Sequence, residues 1–149
     1  MRGAKTFLTS IVLAAVLVAA VPMTSGATSP KELRRKMLAL TNSARRNNGL
    51  RPLELNWRLS KGAQGHSRRM AERNTVYHTA NLYRLVRRWH PSVWGENVGM
   101  AGTVRRAHKL FMRSSGHRGN ILRSGFSHAG IGVVSQGGHT WVTVMFYGG

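Results

Sequence analysis

Ile131-Gly132-Val133-Val134-Ser135-Gln136-Gly137-Gly138-His139-Thr140-Trp141-Val142-Thr143-Val144-Met145-Phe146-Tyr147 is the stretch that decides how this chain folds. Two apolar, partly alternating runs, Ile131 to Ser135 and Thr140 to Tyr147, flank Gln136-Gly137-Gly138-His139. Alternation sends successive side chains to opposite faces of a strand, and a Gly-Gly pair supplies the backbone freedom of a tight turn. The stretch therefore predicts an antiparallel hairpin. Gly130-Ile131-Gly132 at its start has a fragment of a phosphate-loop pattern, but that motif must open a helix and this one enters a strand.

Toward the N-terminus the period changes from two to that of a helix. Ser29-Pro30-Lys31-Glu32 is a helix start, with Ser29 placed to cap, Pro30 at the first helical position and Glu32 where a capping box wants its carboxylate. The helix continues with Leu33, Met37, Leu40 and Ala44 on one face and ends near Asn47-Asn48-Gly49. Arg51 to Leu55 reads as a short extended connector. A second helix, capped by Asn56, runs from about Trp57 to Arg73 with Leu59, Ala63, His66 and Met70 on its apolar stripe and Lys61, Arg68 and Glu72 toward water. Asn74 to Trp94 reads as a loop with at most one helical turn between Asn81 and Arg88. A third helix over Thr103 to Arg113 and a short fourth over Gly116 to Leu122 complete the elements before the hairpin. Helices first and a hairpin last predict an α+β domain built in layers.

The chain has 149 residues, a formal charge of +19 and no cysteine. Arg2 and Lys5 precede an apolar run from Phe7 to Val21, and Pro22 and Ser25-Gly26-Ala27 follow it. This is the layout of a cleaved secretory leader over residues 1–27, and the run is shorter than the roughly 20 apolar residues of a membrane-spanning helix. Residues 28–149 then form one domain, large enough to bury an ordinary core without cross-links. Without cysteine there is no disulfide or thiol chemistry. Twenty-three Lys and Arg stand against four Glu and no Asp. That excess gives a positive surface suited to anionic envelope polymers or lipids. Specific nucleic-acid recognition is disfavoured, because no reader motif is present.

Several stretches together resemble the bacterial, single-domain members of the CAP superfamily, named for cysteine-rich secretory proteins, antigen 5 and pathogenesis-related 1. They are Leu53-Glu54-Leu55-Asn56-Trp57-Arg58-Leu59 with Ala63-Gln64-Gly65-His66-Ser67, then Tyr77-His78, Gly95-Glu96-Asn97-Val98, and Ser114-Ser115-Gly116-His117-Arg118-Gly119-Asn120-Ile121-Leu122. Phe126 to Val133 and Trp141 to Phe146 resemble the family's closing strands. The resemblance spans roughly Leu33 to Phe146, with Phe111 where Trp is common and Ser115 where Pro is usual. It implies an α-β-α sandwich with a central antiparallel sheet. It also implies a cleft lined by His and Glu that holds a divalent ion such as zinc, with His78, Glu96 and His117 on three of the ligand positions. Ser114 falls where eukaryotic members carry a second Glu, and Asn97, Ser114, Arg118 and Asn120 are read from their own chemistry as supports of the cleft. Binding of a small or lipid ligand is a further implication.

Two imidazoles and a carboxylate are suitable zinc ligands with a fourth position open. A hydrolase would also need a free general base, and Glu96 would already be used. Glu32, Glu54 and Glu72 sit at a cap, in a connector and on a polar helix face. No nucleophile elbow and no His-Glu-x-x-His helix occurs. A non-enzymatic secreted binding module is therefore the expected function, with an envelope-adhesive protein and a metal-assisted hydrolase as alternatives. Each ligand also has a plainer reading: Glu96 as a buried acceptor for backbone amides, His117 as part of a capping network, His78 as a loop residue. Arg118 could bridge carbonyls or Glu96, and His66 reads as a packed core histidine.

Overall fold

The computed structural model describes residues 28–149, so the expected leader lies outside the described residues. Helix α1 spans Pro30–Arg46, and the capping box forms as the sequence predicts: Glu32 N–H donates to Ser29 Oγ at 3.2 Å and Ser29 N–H donates to Glu32 Oε2 at 2.9 Å. A two-residue strand β1 (Glu54–Leu55) leads into α2 (Trp57–Glu72), whose first turn is capped by Asn56. The predicted loop contains α3 (Leu82–Val86) and a 3-10 turn over Arg87–Trp89. Strand β2 (Val93–Ala101), helices α4 (Val104–Arg113) and α5 (Ser115–Ile121), and strands β3 (His128–Gln136) and β4 (His139–Gly148) follow. Gly137 and Gly138, with φ of 60° and 72°, make the turn between the last two strands.

The sheet order is β1-β3-β4-β2. The three long strands are antiparallel, and β1 adds a short parallel pairing of Glu54 with His128 and Leu55 with Ala129. Because β4 sits in the middle, its side chains are buried on both faces. Val142, Val144 and Phe146 meet Met37, Phe111, Ile121 and Phe126 from the side of α1, α4 and α5. Trp141, Met145 and Tyr147 meet Leu59, Ala63, Met70 and Val86 from the side of α2 and α3. The result is a sheet between two helical layers, the α-β-α sandwich. Each large aliphatic side chain buried in these clusters contributes about 1.5–3 kcal/mol.

Two features of this packing were absent from the sequence pattern. Helix α2 lies so close to β3 that a Cβ at Gly132 would collide with the backbone of Ala63, and one at Gly130 with Leu59. The buried face of α1 is Arg34, Met37, Thr41 and Arg45, while Leu33, Leu40 and Ala44 are only partly buried. Arginine can take this face because its donors are satisfied there. Arg45 donates from Nε to Arg51 O at 2.8 Å, and from its terminal nitrogens to Ile121 O, Arg123 O and Phe126 O, each at 2.9 Å. Arg34 donates from Nε to Ile131 O at 2.7 Å and stacks over Trp57. Burial pushes both guanidinium groups below the ordinary arginine pKa.

Beyond Ala129, no strand among the described residues pairs with the outer edge of β3, and α2 supplies side chains instead. Gln64 accepts from Val133 N–H at 3.0 Å and donates to Val133 O at 2.8 Å, while Ser60 Oγ accepts from Ile131 N–H at 3.1 Å. An exposed ladder edge is thereby closed to other chains.

Candidate functional site

Strand β2 forms the other edge of the sheet and carries Gly95-Glu96-Asn97 across the middle of the molecule. Alternation turns neighbouring side chains to opposite faces. Glu96 is opposite Met145, which belongs to the α2 face, and Asn97 is opposite Val144, which belongs to the α4 and α5 face. The Glu96 carboxylate is buried, with Oε1 accepting from His78 Nδ1 at 2.8 Å and from Thr79 N–H at 2.9 Å. Oε2 accepts from the Thr79 hydroxyl. The carboxylate oxygen is the natural acceptor in the contact with His78 Nδ1, and the His78 side chain is 63% exposed.

On the opposite face, fully buried Asn97 ties β2 to α5. Its Nδ2 donates to His117 O at 2.9 Å, and its Oδ1 accepts from Asn120 Nδ2 at 2.9 Å. Asn120 also donates to Glu96 O at 3.1 Å. Ser114 is the N-cap of α5, its hydroxyl accepting from His117 N–H at 3.4 Å. His117 packs against the Phe111 ring at a centroid distance of 4.9 Å. Burial, followed by the nearby charge of His78, holds the His117 imidazole below its ordinary pKa and so favours the neutral ring. Arg118 is exposed and makes no contact with the Glu96 carboxylate, whose partners are His78 and Thr79.

Beside His117 an apolar slot of about 280 Å³ opens between β2 and α4. Val98, Met100, Ala107, Leu110 and Phe111 line it, and Ser114 and His117 form its polar end. Gly99 is needed in its wall: a Cβ there would stand 2.9 Å from the Phe111 ring. Met100 and Leu110 are exposed at its mouth.

The residues expected at the site are thus joined in two groups that meet around the edge of β2. His78 bonds Glu96 directly, and His117 lies near enough to His78 to feel its charge. Among the described residues no set of three His, Cys, Asp or Glu side chains forms a group able to hold a metal ion. Both Glu96 oxygens already accept hydrogen bonds, which places this carboxylate behind His78 as an orienting group. Thr79 was not foreseen as a partner of Glu96; the only hint was its place directly after His78. His66 and His128 are structural. His66 is buried with Nε2 2.8 Å from Tyr77 O, and His128, at the start of β3, stacks on Tyr147 with Nε2 3.6 Å from Glu54.

The class defined by this fold and site is a three-layer α-β-α domain with His78 joined to Glu96 on an edge strand and His117 nearby. The model of the CAP family, described as the cysteine-rich secretory protein family, matches residues 38–146, and the chain belongs to that family. It is 34% identical over 121 residues to the uncharacterized protein YkwD of Bacillus subtilis, an alignment that takes in 76% of this chain and 47% of YkwD. The chain therefore spans about half the length of that relative. Among solved structures it resembles an extracellular protein containing an SCP domain from Bacillus anthracis, with a TM-score of 0.66 at 24% identity over 84% of this chain and 45% of the other. It also resembles an outer surface protein of Borrelia burgdorferi, with a TM-score of 0.72 at 17% identity over 80% and 95% of the two chains. A structure of NaASP2 with Zn2+ matches at a TM-score of 0.57 and 13% identity over 85% and 83%. Among the described residues no helix is long and apolar enough to cross a membrane.

Proposed function

We propose that this protein is a secreted, non-enzymatic binding module that takes a small apolar ligand in the slot between β2 and α4, with a divalent ion held at its polar end. The observation that carries the reading is the slot itself: apolar walls ending on His117, whose pKa burial lowers. A mostly apolar pocket with one polar terminus suits an amphiphile. His78 Nε2 and His117 are the nitrogens that would hold zinc, with Glu96 fixing the His78 ring. Bound zinc would supply a positive anchor for the ligand's polar end. The extracellular and outer-surface proteins of like fold support export of this chain, and the NaASP2 structure with Zn2+ supports the ion. Among the described residues the slot is lined by no carboxylate that could act as a base.

The experiment is a titration with Zn2+ and with decanoate of the wild type, His117→Ala and Leu110→Glu. His117→Ala should lose zinc affinity about tenfold or more. Leu110→Glu should keep zinc and lose decanoate. Equal zinc affinity in the wild type and in His117→Ala removes the ion from the reading, and decanoate binding that ignores Leu110→Glu removes the slot. Turnover of a peptide, ester or phosphodiester that vanishes on chelation would replace the binding module by a metal-assisted hydrolase.

A further inference from the structure

A second cavity, of about 320 Å³, lies on the other helical layer, between the start of α2 and the segment formed by α3 and the 3-10 turn. Arg58 comes from α2, and Arg84, Arg87 and Arg88 from the segment, all four on the rim and exposed. Leu59, Leu85 and Trp89 supply an apolar interior, and Gly62 leaves it open. The arginines are presented by a fixed frame. Val86 is fully buried, and Leu82 and Trp89 pack with it against Leu59, Met145 and Tyr147, Trp89 being stacked on Tyr147 at 5.1 Å.

Four guanidinium groups around one hollow repel one another, and among the described residues no carboxylate offsets them. No glutamate lines the cavity there. Among the described residues Glu96 and Glu54 lie against histidines, His78 and His128, and not against arginines. The contrast with Arg34 and Arg45 is direct: those two spend their donors on internal acceptors, whereas no hydrogen bond of the Arg58, Arg84, Arg87 or Arg88 side chain to the protein is found among the described residues. Guanidinium forks match phosphate oxygens in a bidentate manner, and an apolar floor beneath them accepts hydrocarbon. Exposed Tyr83 and Trp94, packed together at 4.8 Å, continue the apolar surface beside the rim. Such aromatic rings are suited to the boundary between water and lipid.

We infer that this cavity is an anion site for a phosphate group carried on an apolar body, the chemistry of an anionic glycerophospholipid. It is separate from the slot at His117, lies in the other helical layer, and does not depend on any ligand bound there.

The test uses dihexanoyl phosphatidylglycerol at concentrations where it stays monomeric, with inorganic phosphate and dihexanoyl phosphatidylcholine as comparison ligands. Binding is followed by calorimetry at fixed salt. The wild type should bind the phosphatidylglycerol saturably and more tightly than either comparison ligand. Arg84→Ser with Arg87→Ser should weaken it about tenfold or more, the usual loss for charge-assisted hydrogen bonds. Gly62→Leu fills the cavity without changing charge, since a Cβ there meets only Leu85 at 3.8 Å, and should weaken it as well. Lys36→Ser with Arg46→Ser removes the same charge from exposed positions on α1, in the opposite layer, and should leave binding unchanged. An equal loss in that α1 variant, or none in Gly62→Leu, would show a diffuse charge effect and overturn the site. Equal affinity for inorganic phosphate would overturn the apolar half of the inference. Tighter capture of a single-stranded oligonucleotide than of the lipid would overturn its ligand class.

Discussion

Single residues set the tolerances of this fold. At Gly132 the obstacle to any side chain is the Ala63 backbone rather than the end of a flexible side chain, so the clash can be relieved only by moving α2 off the sheet. Gly132→Ala should therefore destabilise the protein by about 1–3 kcal/mol, read as a lowered midpoint in urea. Asn97 is a different kind of constraint, since it satisfies His117 O and Asn120 at once from a fully buried position. Asn97→Leu keeps the approximate volume but strands both partners, and should cost about 1–3 kcal/mol. It should also loosen the seat of His117, so zinc affinity would fall in a protein that is still folded at room temperature. His117 itself should make zinc binding weaken as the pH drops, because the proton and the metal compete for one nitrogen.

At the level of elements, what the chain displayed openly was periodicity and punctuation. The capped starts of α1 and α2, the span of α4 and the hairpin of β3 and β4 all follow from spacing, caps and Gly-Gly. Strand β2 did not, because Gly95, Asn97 and Gly99 are poor strand formers; its extended form comes from nine residues paired along β4. The packed face of α1 differs from the expected one for a related reason. Arg34 and Arg45 recur with Met37 and Thr41 at helical spacing, but among so many basic residues nothing in the sequence tells a buried arginine from a solvated one. At the site, His78, Glu96 and His117 were legible only through the family motifs. The pairing of Glu96 with Thr79, and the two-sided arrangement around β2, needed the strand register. The side-chain amide of Gln64 stands in for a missing strand, so Gln64→Ala should expose the N–H and C=O of Val133. The expected cost is about 1–2 kcal/mol, with faster aggregation on warming, measured by light scattering.

For the whole molecule, charge and protonation dominate. A formal charge of +19 on 149 residues opposes compaction, so added neutral salt should raise the melting temperature until the repulsion is screened. Histidine protonation works in the same direction as that repulsion. Burial holds His117 and His108 below the ordinary value of 6.5, with the His78 charge adding to the effect on His117. The unfolded chain therefore takes up protons before the folded one, and the stability these residues contribute is present above about pH 6.5 and lost as the pH falls through their folded-state values. Unfolding in urea as a function of pH should show this slope below 6.5, and His117→Asn with His108→Asn should flatten it.

Arg45 gives the molecule a further property. By gripping carbonyls from the loop after α1 and from the link between α5 and β3, it fastens segments far apart in the chain as a covalent cross-link would, but with nothing in it that a thiol can cleave. The fold is consequently independent of thiol–disulfide exchange: reductant should leave its melting curve in place, and it needs no disulfide-forming machinery to mature. Whatever compartment receives the chain, the same fastening is available as soon as the two segments meet.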